Sequence, residues 1–243
     1  MLKSNDTFLA IDTVGTPATF GLYRDGSPLL VHQVWASRKV LSELGNFMSR
    51  ALSPEFDVSE SIARICVSVG PGSFTGSRLG VAAAKSLAFA LKIGVSIFDH
   101  TEALAHAALV ELELENPDHL AVVLDARRGQ SNLLITSPTD TLGRFCETID
   151  NDKLEARVGS GGICTVVGDS ASLGLFRDQS DVKLARVGLG VIEPFALGQY
   201  LVALATQTVL IAPTEVQVRY VREYGAKSNF DRAAQVNGNP GAI

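Results

Sequence analysis

A strand that breaks on glycines and restarts as a helix is the tightest constraint this chain carries. The apolar run Ile65-Cys66-Val67-Ser68-Val69 leads into Gly70-Pro71-Gly72-Ser73-Phe74-Thr75-Gly76-Ser77-Arg78, and an Ala-rich helical pattern follows from about Thr75 to Leu91. Such a junction aims unpaired backbone N–H groups at one spot, where the helix N-terminus adds partial positive charge. A phosphate or carboxylate suits that spot. Gly70 and Gly72 allow close backbone approach, and Ser73 and Thr75 place hydroxyls at capping positions. With Gly76, and with Arg78 in the first helical turn, these are the candidate anion-binding residues. The run is neither a Walker loop, since no Gly-Lys-Ser/Thr follows, nor a dinucleotide fingerprint. The same residues also fit a tight turn with a good N-cap and no ligand.

The rest of the chain bounds what this junction can serve. With 243 residues, 46% of them hydrophobic and 19% charged, it can form one large or two small well-packed domains. A net charge of −5 argues against a broad basic face for nucleic acid, so any RNA contact is expected to be local or supplied by a partner. The N-terminus runs into a strand without an apolar signal segment, and no uncharged apolar run is long enough to span a membrane. The expectation is a cytoplasmic protein with no membrane partner. Cys66, Cys146 and Cys164 are widely spaced and odd in number, which reads as buried free thiols of a reducing compartment.

The chain is organised as two similar halves. Phe8-Leu9-Ala10-Ile11 is a strand ending in Asp12, followed by a turn over 13–16 and a return strand at 18–23. Asp25-Gly26 marks a hairpin into 28–35. From Ser37 to Leu52 a helical stripe collects Val40, Leu41, Leu44, Phe47, Met48, Ala51 and Leu52. After the glycine turn come a short strand at 95–98 and a helix from Thr101 to Glu115. Asn116-Pro117-Asp118 breaks the chain. The second half repeats the opening: Leu120–Leu124 ends in Asp125, Arg127–Gln130 turns, and Leu133–Ile135 returns. Ile163–Val167 then meets Gly168-Asp169-Ser170, a glycine-poorer copy of the first junction. A last helix, Glu193 to Thr206, turns Leu197, Tyr200, Leu201, Leu204 and Ala205 inward. The domains expected are 1–116 with the glycine turn, 117–225 with helix 193–206 packing back on the first, and a flexible tail 226–243.

Two copies of strand–Asp–turn–strand predict an α/β fold of the duplicated actin-like ATPase type, two domains each with a mixed sheet flanked by helices. In that fold Asp12 and Asp125 face one another across a cleft. Ala10-Ile11-Asp12-Thr13, the Gly70–Gly76 heptad with Arg78, Ala84-Lys85 with Leu87-Ala88, Asp125-Ala126-Arg127, Gly168-Asp169 and Tyr220-Val221-Arg222-Glu223 occur in that order. Together they resemble the bacterial TsaB (YeaZ) family over roughly residues 8 to 225. The chain departs from that pattern at Gln130-Ser131-Asn132, at Ser77 and at Ser86.

The resemblance implies a non-catalytic subunit of the complex that makes threonylcarbamoyladenosine in tRNA. Its partners would be a TsaD-like catalytic paralogue and a TsaE-like ATPase, with tRNA reached through the complex. Homodimers would use the same first-domain helices, 37–52 and 75–91 in this chain. ATP and metal would belong to the partner subunits, leaving no cofactor here.

The residues themselves offer no convincing catalytic set. His100 and His106, six apart on a helix, stand about 240° apart and cannot share one metal face. His100, following a strand, could swing free. His32 and His119 are isolated. Asp12 with Thr13 is either a cleft carboxylate orienting a metal-bound water or a turn aspartate bonding its own backbone over 13–15. The second is favoured, because the second-half loop lacks the glycines of a second phosphate clamp. Lys85 snorkels or pairs with a carboxylate. The small, all-round apolar helix carrying Val81, Ala83, Ala84 and Ala88, with Val40, Leu44, Phe47 and Met48 beside it, is the expected partner interface. Two competing readings are a free-standing ATPase or kinase of the actin-like fold and a glycoprotease-like peptidase.

Overall fold

The computed structural model describes residues 6–56, 62–111, 119–136, 146–159, 164–168, 170–176, 182–184, 194–207 and 210–219. The break at Asn116–Asp118, Asp169, the Tyr220–Glu223 block and the tail 226–243 lie outside them.

Alternating apolar residues on both faces of its strands make the chain stack in layers. The first sheet holds β1 (Thr7–Asp12), β2 (Ala18–Arg24), β3 (Ser27–Val34), β4 (Ile62–Ser68) and β5 (Val95–Phe98), in the order β3-β2-β1-β4-β5. β1–β2 and β2–β3 are antiparallel, and β4 and β5 continue parallel to β1. The second sheet repeats this pattern with β6 (His119–Arg127), β7 (Gln130–Thr136), β8 (Glu147–Asp150), β9 (Cys164–Gly168) and β10 (Val182–Leu184). There β6–β7 and β7–β8 are antiparallel, while β9 and β10 are parallel to the opening strand.

Helices follow the same order in both halves. α1 (Val40–Ala51), preceded by a 3-10 turn at Ser37–Lys39, α2 (Phe74–Leu91) and α3 (His100–Glu111) follow β3, β4 and β5. α4 (Asn151–Gly159), α5 (Ser170–Leu173) and α6 (Pro194–Gln207) follow β8, β9 and β10. The two sheets and their helices are the duplicated actin-like arrangement that the repeat predicts. The sequence reading missed β8 and α4, whose mixed charges (Asp150, Asp152, Lys153, Glu155, Arg157) obscure the Leu154 and Val158 stripe.

Strand alternation divides the core three ways. Leu9 and Ile11 of β1 face α1 and α2, while Phe8 and Ala10 face the central layer of α3 and α6. Leu120 and Val122 of β6 join that central layer, and Ala121 and Val123 face α4 and α5. Strands apolar on both faces belong inside such a sandwich. The five α6 residues expected to point inward are all buried. Cys66 and Cys146 are buried free thiols, as expected, and burial chiefly pushes both up to about 12.

The two halves are stitched together at named points. α6 packs on α3 and on β3, where Gly198 lies against the Asp25–Gly26 hairpin. Asp25 and Gly26 have φ of 50° and 78°, the left-handed pair that a two-residue hairpin needs. Beyond α6, the segment 210–219 runs along the first sheet. Val95 and Ile211 exchange two backbone hydrogen bonds of 3.0 Å, Val216 is buried over α2, and Lys85 Nζ donates to the Val216 carbonyl at 3.2 Å.

Opposite outcomes are expected at two glycines. A Cβ on Gly198 would stand 2.1 Å from the Gly26 carbonyl oxygen, so Gly198→Ala must push α6 off the hairpin. We expect it to cost roughly 1–3 kcal/mol in urea unfolding. Gly45, within α1, has nothing within 4 Å of such a Cβ. Gly45→Ala should therefore stabilise the chain by about 0.5–1 kcal/mol through helix propensity.

Candidate functional site

The glycine turn is shaped by what packs into it. After β4, the Gly70–Ser73 loop folds against the β1–β2 turn, and Ser73 N donates to the Val14 carbonyl at 2.9 Å. A Cβ on Gly72, whose φ is +148°, would meet that carbonyl oxygen at 2.4 Å. One on Gly76 would meet the Thr13 carbonyl oxygen at 1.9 Å, and one on Gly80 the Thr13 hydroxyl at 2.3 Å. Thr13 Oγ1 in turn donates to the Gly76 carbonyl at 2.6 Å. Gly70, at φ +131°, is pressed by the Arg219 carbonyl oxygen at 2.9 Å from where its Cβ would be. Both Thr16–Pro17 and Gly70–Pro71 are cis.

These contacts give the three glycines of the expected anion cradle a packing role. Gly70, Gly72 and Gly76 are small because protein backbone lies against them. The helix start uses its own donors: Ser73 Oγ accepts from Gly76 N at 3.0 Å, and Ser77 N donates to the Ser73 carbonyl at 2.8 Å. Ser73 is thus the N-cap, whereas Thr75 is an exposed residue within the first turn of α2. The Arg78 guanidinium lies 3.9 Å from the centre of the Phe74 ring. These positions fit the second of the two readings, a tight turn with a good cap.

Asp12 is likewise the turn aspartate, with a partner that spacing could not reveal. Its Oδ1 accepts from Val14 N at 3.2 Å, and its Oδ2 lies 2.7 Å from His100 Nδ1. The two side chains are 2% and 6% exposed. His100 therefore does not swing free: it opens α3 at the end of β5, the parallel neighbour of β4, and faces the end of β1. Its ring fills the space where a Cβ on Gly15 would stand 2.6 Å from Cε1. His100 N also donates to the Gly70 carbonyl at 2.8 Å.

Beside this pair sits Asp99, fully buried at the α3 cap. Its Oδ1 accepts from Thr101 N at 2.8 Å and from the Thr101 hydroxyl, and its Oδ2 lies 3.5 Å from Arg219 Nη1. Burial pushes the Asp99 carboxyl up, against the pull of Thr101, Arg219 and His100. For His100, burial opposes the charge, but the Asp12 carboxylate, its hydrogen bond and the Asp99 charge together raise the imidazole above its ordinary value. Among the described residues, no group of three or more His, Cys, Asp or Glu side chains is placed to hold a metal ion.

The residues expected at a partner interface divide by burial. Val40, Leu44 and Phe47 of α1 and Val81, Ala84 and Ala88 of α2 are buried against their own sheet. They face Leu9, Ile11, Phe20 and Ile65, so their side chains are taken up by this chain's own core. Met48 and Ala83 are half-buried. The large apolar side chains that these two helices expose are Leu41, at 66%, Phe74, at 42%, and Phe89, at 77%. Leu41, counted in the inward stripe by spacing, points out because α1 rests on the sheet through its 40–44–47–51 edge.

The buried pair predicts a pH dependence. A raised imidazole pKa stabilises the fold below the unfolded value of about 6.5, and that contribution is lost as pH rises through the folded value. Asp12→Asn removes the counter-charge and should cost about 3–5 kcal/mol at pH 5.5. The deficit should shrink as urea unfolding is repeated up to pH 8.5. A pH-independent deficit would show that His100 is neutral in the fold.

Comparison with known proteins accords with this architecture. A family model for the tRNA N6-adenosine threonylcarbamoyltransferase TsaD matches residues 33–156, more than half of the chain. The tRNA threonylcarbamoyladenosine biosynthesis protein TsaB of Bacillus subtilis (strain 168) is 33% identical over 125 residues, 51% of this chain and 52% of that protein. The chain thus matches about half the length of that curated relative. YeaZ from Pseudomonas aeruginosa superposes with a TM-score of 0.71 at 19% identity, covering 88% of this chain and 99% of that one. A second Pseudomonas aeruginosa structure, described as an uncharacterized protein similar to peptidase YEAZ, gives 0.69 at 18% identity over 89% and 100% of the two chains. Those two likenesses establish the fold. Matched over more than half its length by the TsaD model, and alike to TsaB in sequence and to YeaZ in fold, the chain belongs to the TsaB (YeaZ) family.

Proposed function

We propose that this chain is a non-catalytic, activating subunit for threonylcarbamoyl transfer to the adenosine beside the anticodon of tRNA. It acts by pairing with a TsaD-like catalytic paralogue in the cytoplasm. One observation carries the reading: Leu41 of α1 and Phe74 and Phe89 of α2 are large apolar side chains exposed to water on the helices that cover the first sheet. A single exposed leucine is ordinary, but a phenylalanine and a leucine exposed on one layer favour association. Family membership supports the partner, and homodimers in isolation would use the same layer.

What the Asp12 site does supports the non-catalytic part. Its carboxylate holds His100 and the β1–β2 backbone, and its neighbouring glycines seat protein. Cys66 and Cys146 have thiols pushed up to about 12, which removes them as nucleophiles at neutral pH. ATP and metal would be brought by the catalytic and TsaE-like subunits. Among the described residues no helix is long and apolar enough to cross a membrane.

The test is reconstitution of threonylcarbamoyl transfer with the catalytic paralogue and the TsaE-like ATPase, with and without this chain. Transfer is expected only when it is added; full transfer in its absence, or ATP turnover by the chain alone, would favour a free-standing enzyme. Phe89→Glu and Leu41→Glu, both on the surface, should leave the thermal midpoint within a few degrees and abolish co-purification with the paralogue. Retained pairing in both would move the interface off this layer.

A further inference from the structure

The hairpin between β6 and β7 turns on residues poorly suited to it. Arg127 pairs with Gln130, leaving Arg128 and Gly129 as a two-residue turn, with a register shift between Asp125 and Arg127. Arg127, Arg128 and Gly129 have φ of 67°, 57° and 76°, so two successive arginines lie in the left-handed region. A two-residue hairpin favours Asn, Asp or Gly there, because a larger side chain crowds the backbone. The two-residue hairpin between β2 and β3 follows that preference with Asp25-Gly26. Strain of this kind persists where the surroundings hold it and the side chains are needed.

The surroundings do hold it. Asp125 Oδ1 accepts from Arg127 N at 2.8 Å, and its Oδ2 lies 3.2 Å from Arg127 Nη1. Asn151 N donates to the Gly129 carbonyl at 2.9 Å, and Gln130 Nε2 donates to Asp150 Oδ1 at 2.9 Å. Above this footing both arginines stand exposed, Arg127 with 86% of its side chain in water. Arg128 has no ion-pair partner among the described residues. On this tip the Arg128 guanidinium fork faces water, and Arg127, with Nη1 held by Asp125, turns its remaining N–H groups to water beside it, an arrangement that suits phosphate oxygens.

We propose that the Arg127-Arg128-Gly129 turn contacts the phosphodiester backbone of RNA. It is the local contact that a chain of net charge −5 still permits, and it adds to whatever RNA face a partner provides. Only the identity of that RNA as a tRNA rests on the proposed function. The contact itself is read on the chain alone, so the two can fail separately.

The experiment titrates a labelled, unmodified tRNA transcript with the full chain at several salt concentrations. R127A and R128G should each reduce the slope of log affinity against log salt by about 1, whatever the transcript's sequence. R128G has a second readout: relief of strain should raise the thermal midpoint by about 2–4 °C while binding weakens. Stability gained as binding is lost marks Arg128 as kept for its contact. An unchanged slope in both variants, or no binding by the unmutated chain, overturns the proposal. Equal competition by polyglutamate of matched charge would assign the turn to an acidic protein, and displacement by ATP alone would assign it to a nucleotide; either overturns it as well.

Discussion

A carboxylate and an imidazole, both out of water, tie together the three elements on which the first half depends. Asp12 ends β1 and fixes the turn into β2 through Val14 N, while His100 begins α3 and sits over Gly15. The same turn presents the Thr13 carbonyl to Gly76 and the Val14 carbonyl to Gly72, which sets how closely α2 approaches β1. Displacing the imidazole would therefore move the turn, the turn would move the start of α2, and α2 carries the exposed Phe89. A buried ion pair gains little net stability, because desolvation offsets most of the attraction. Its effect here is geometric: the buried charge is satisfied in one arrangement of β1, α2 and α3.

That arrangement shows what fills the space beside a glycine-rich turn. In a phosphate loop, glycines clear space so that backbone N–H groups reach a ligand. Here the cleared space is filled by the β1–β2 backbone, and the donors of Ser73, Gly76 and Ser77 are taken by Val14, by the Ser73 hydroxyl and by the Ser73 carbonyl. In the first half, the glycines face this chain's own backbone. Fold and chemistry are separable in this way, since function resides in the site and not in the architecture.

Much of this was legible in the residues. The strand–Asp–turn–strand repeat locates both sheets, because strands buried on both faces appear as unbroken apolar runs that end abruptly at Asp12 and Asp125. Ser73 as a cap and the inward face of α6 were readable for the same local reasons. His100 was not, because its partner lies 88 positions away and only the parallel pairings of β1, β4 and β5 bring them together. The glycines were ambiguous for a different reason: a missing Cβ marks close approach without saying what approaches. β8 and α4 were hidden by charge, as their few buried residues are outnumbered by solvated ones.

The α1–α2 layer shows where periodicity stops being informative. A helix rich in alanine has little contrast between its faces, so Val81, Ala84 and Ala88 cannot be told from Ala82, Ala83 and Ala90 by hydrophobicity. Only the sheet beneath decides which set is buried, and it takes the first. Once that is known, the second set becomes meaningful, because small residues flanking an exposed Phe89 let another backbone approach the helix while the ring supplies most of the apolar area. At about 25 cal/mol per Å² of apolar surface removed from water, one aromatic ring is worth more than several alanines. Association through this layer should thus depend on the outward Phe89 and Leu41, and the inward stripe that first draws the eye in the sequence serves the core.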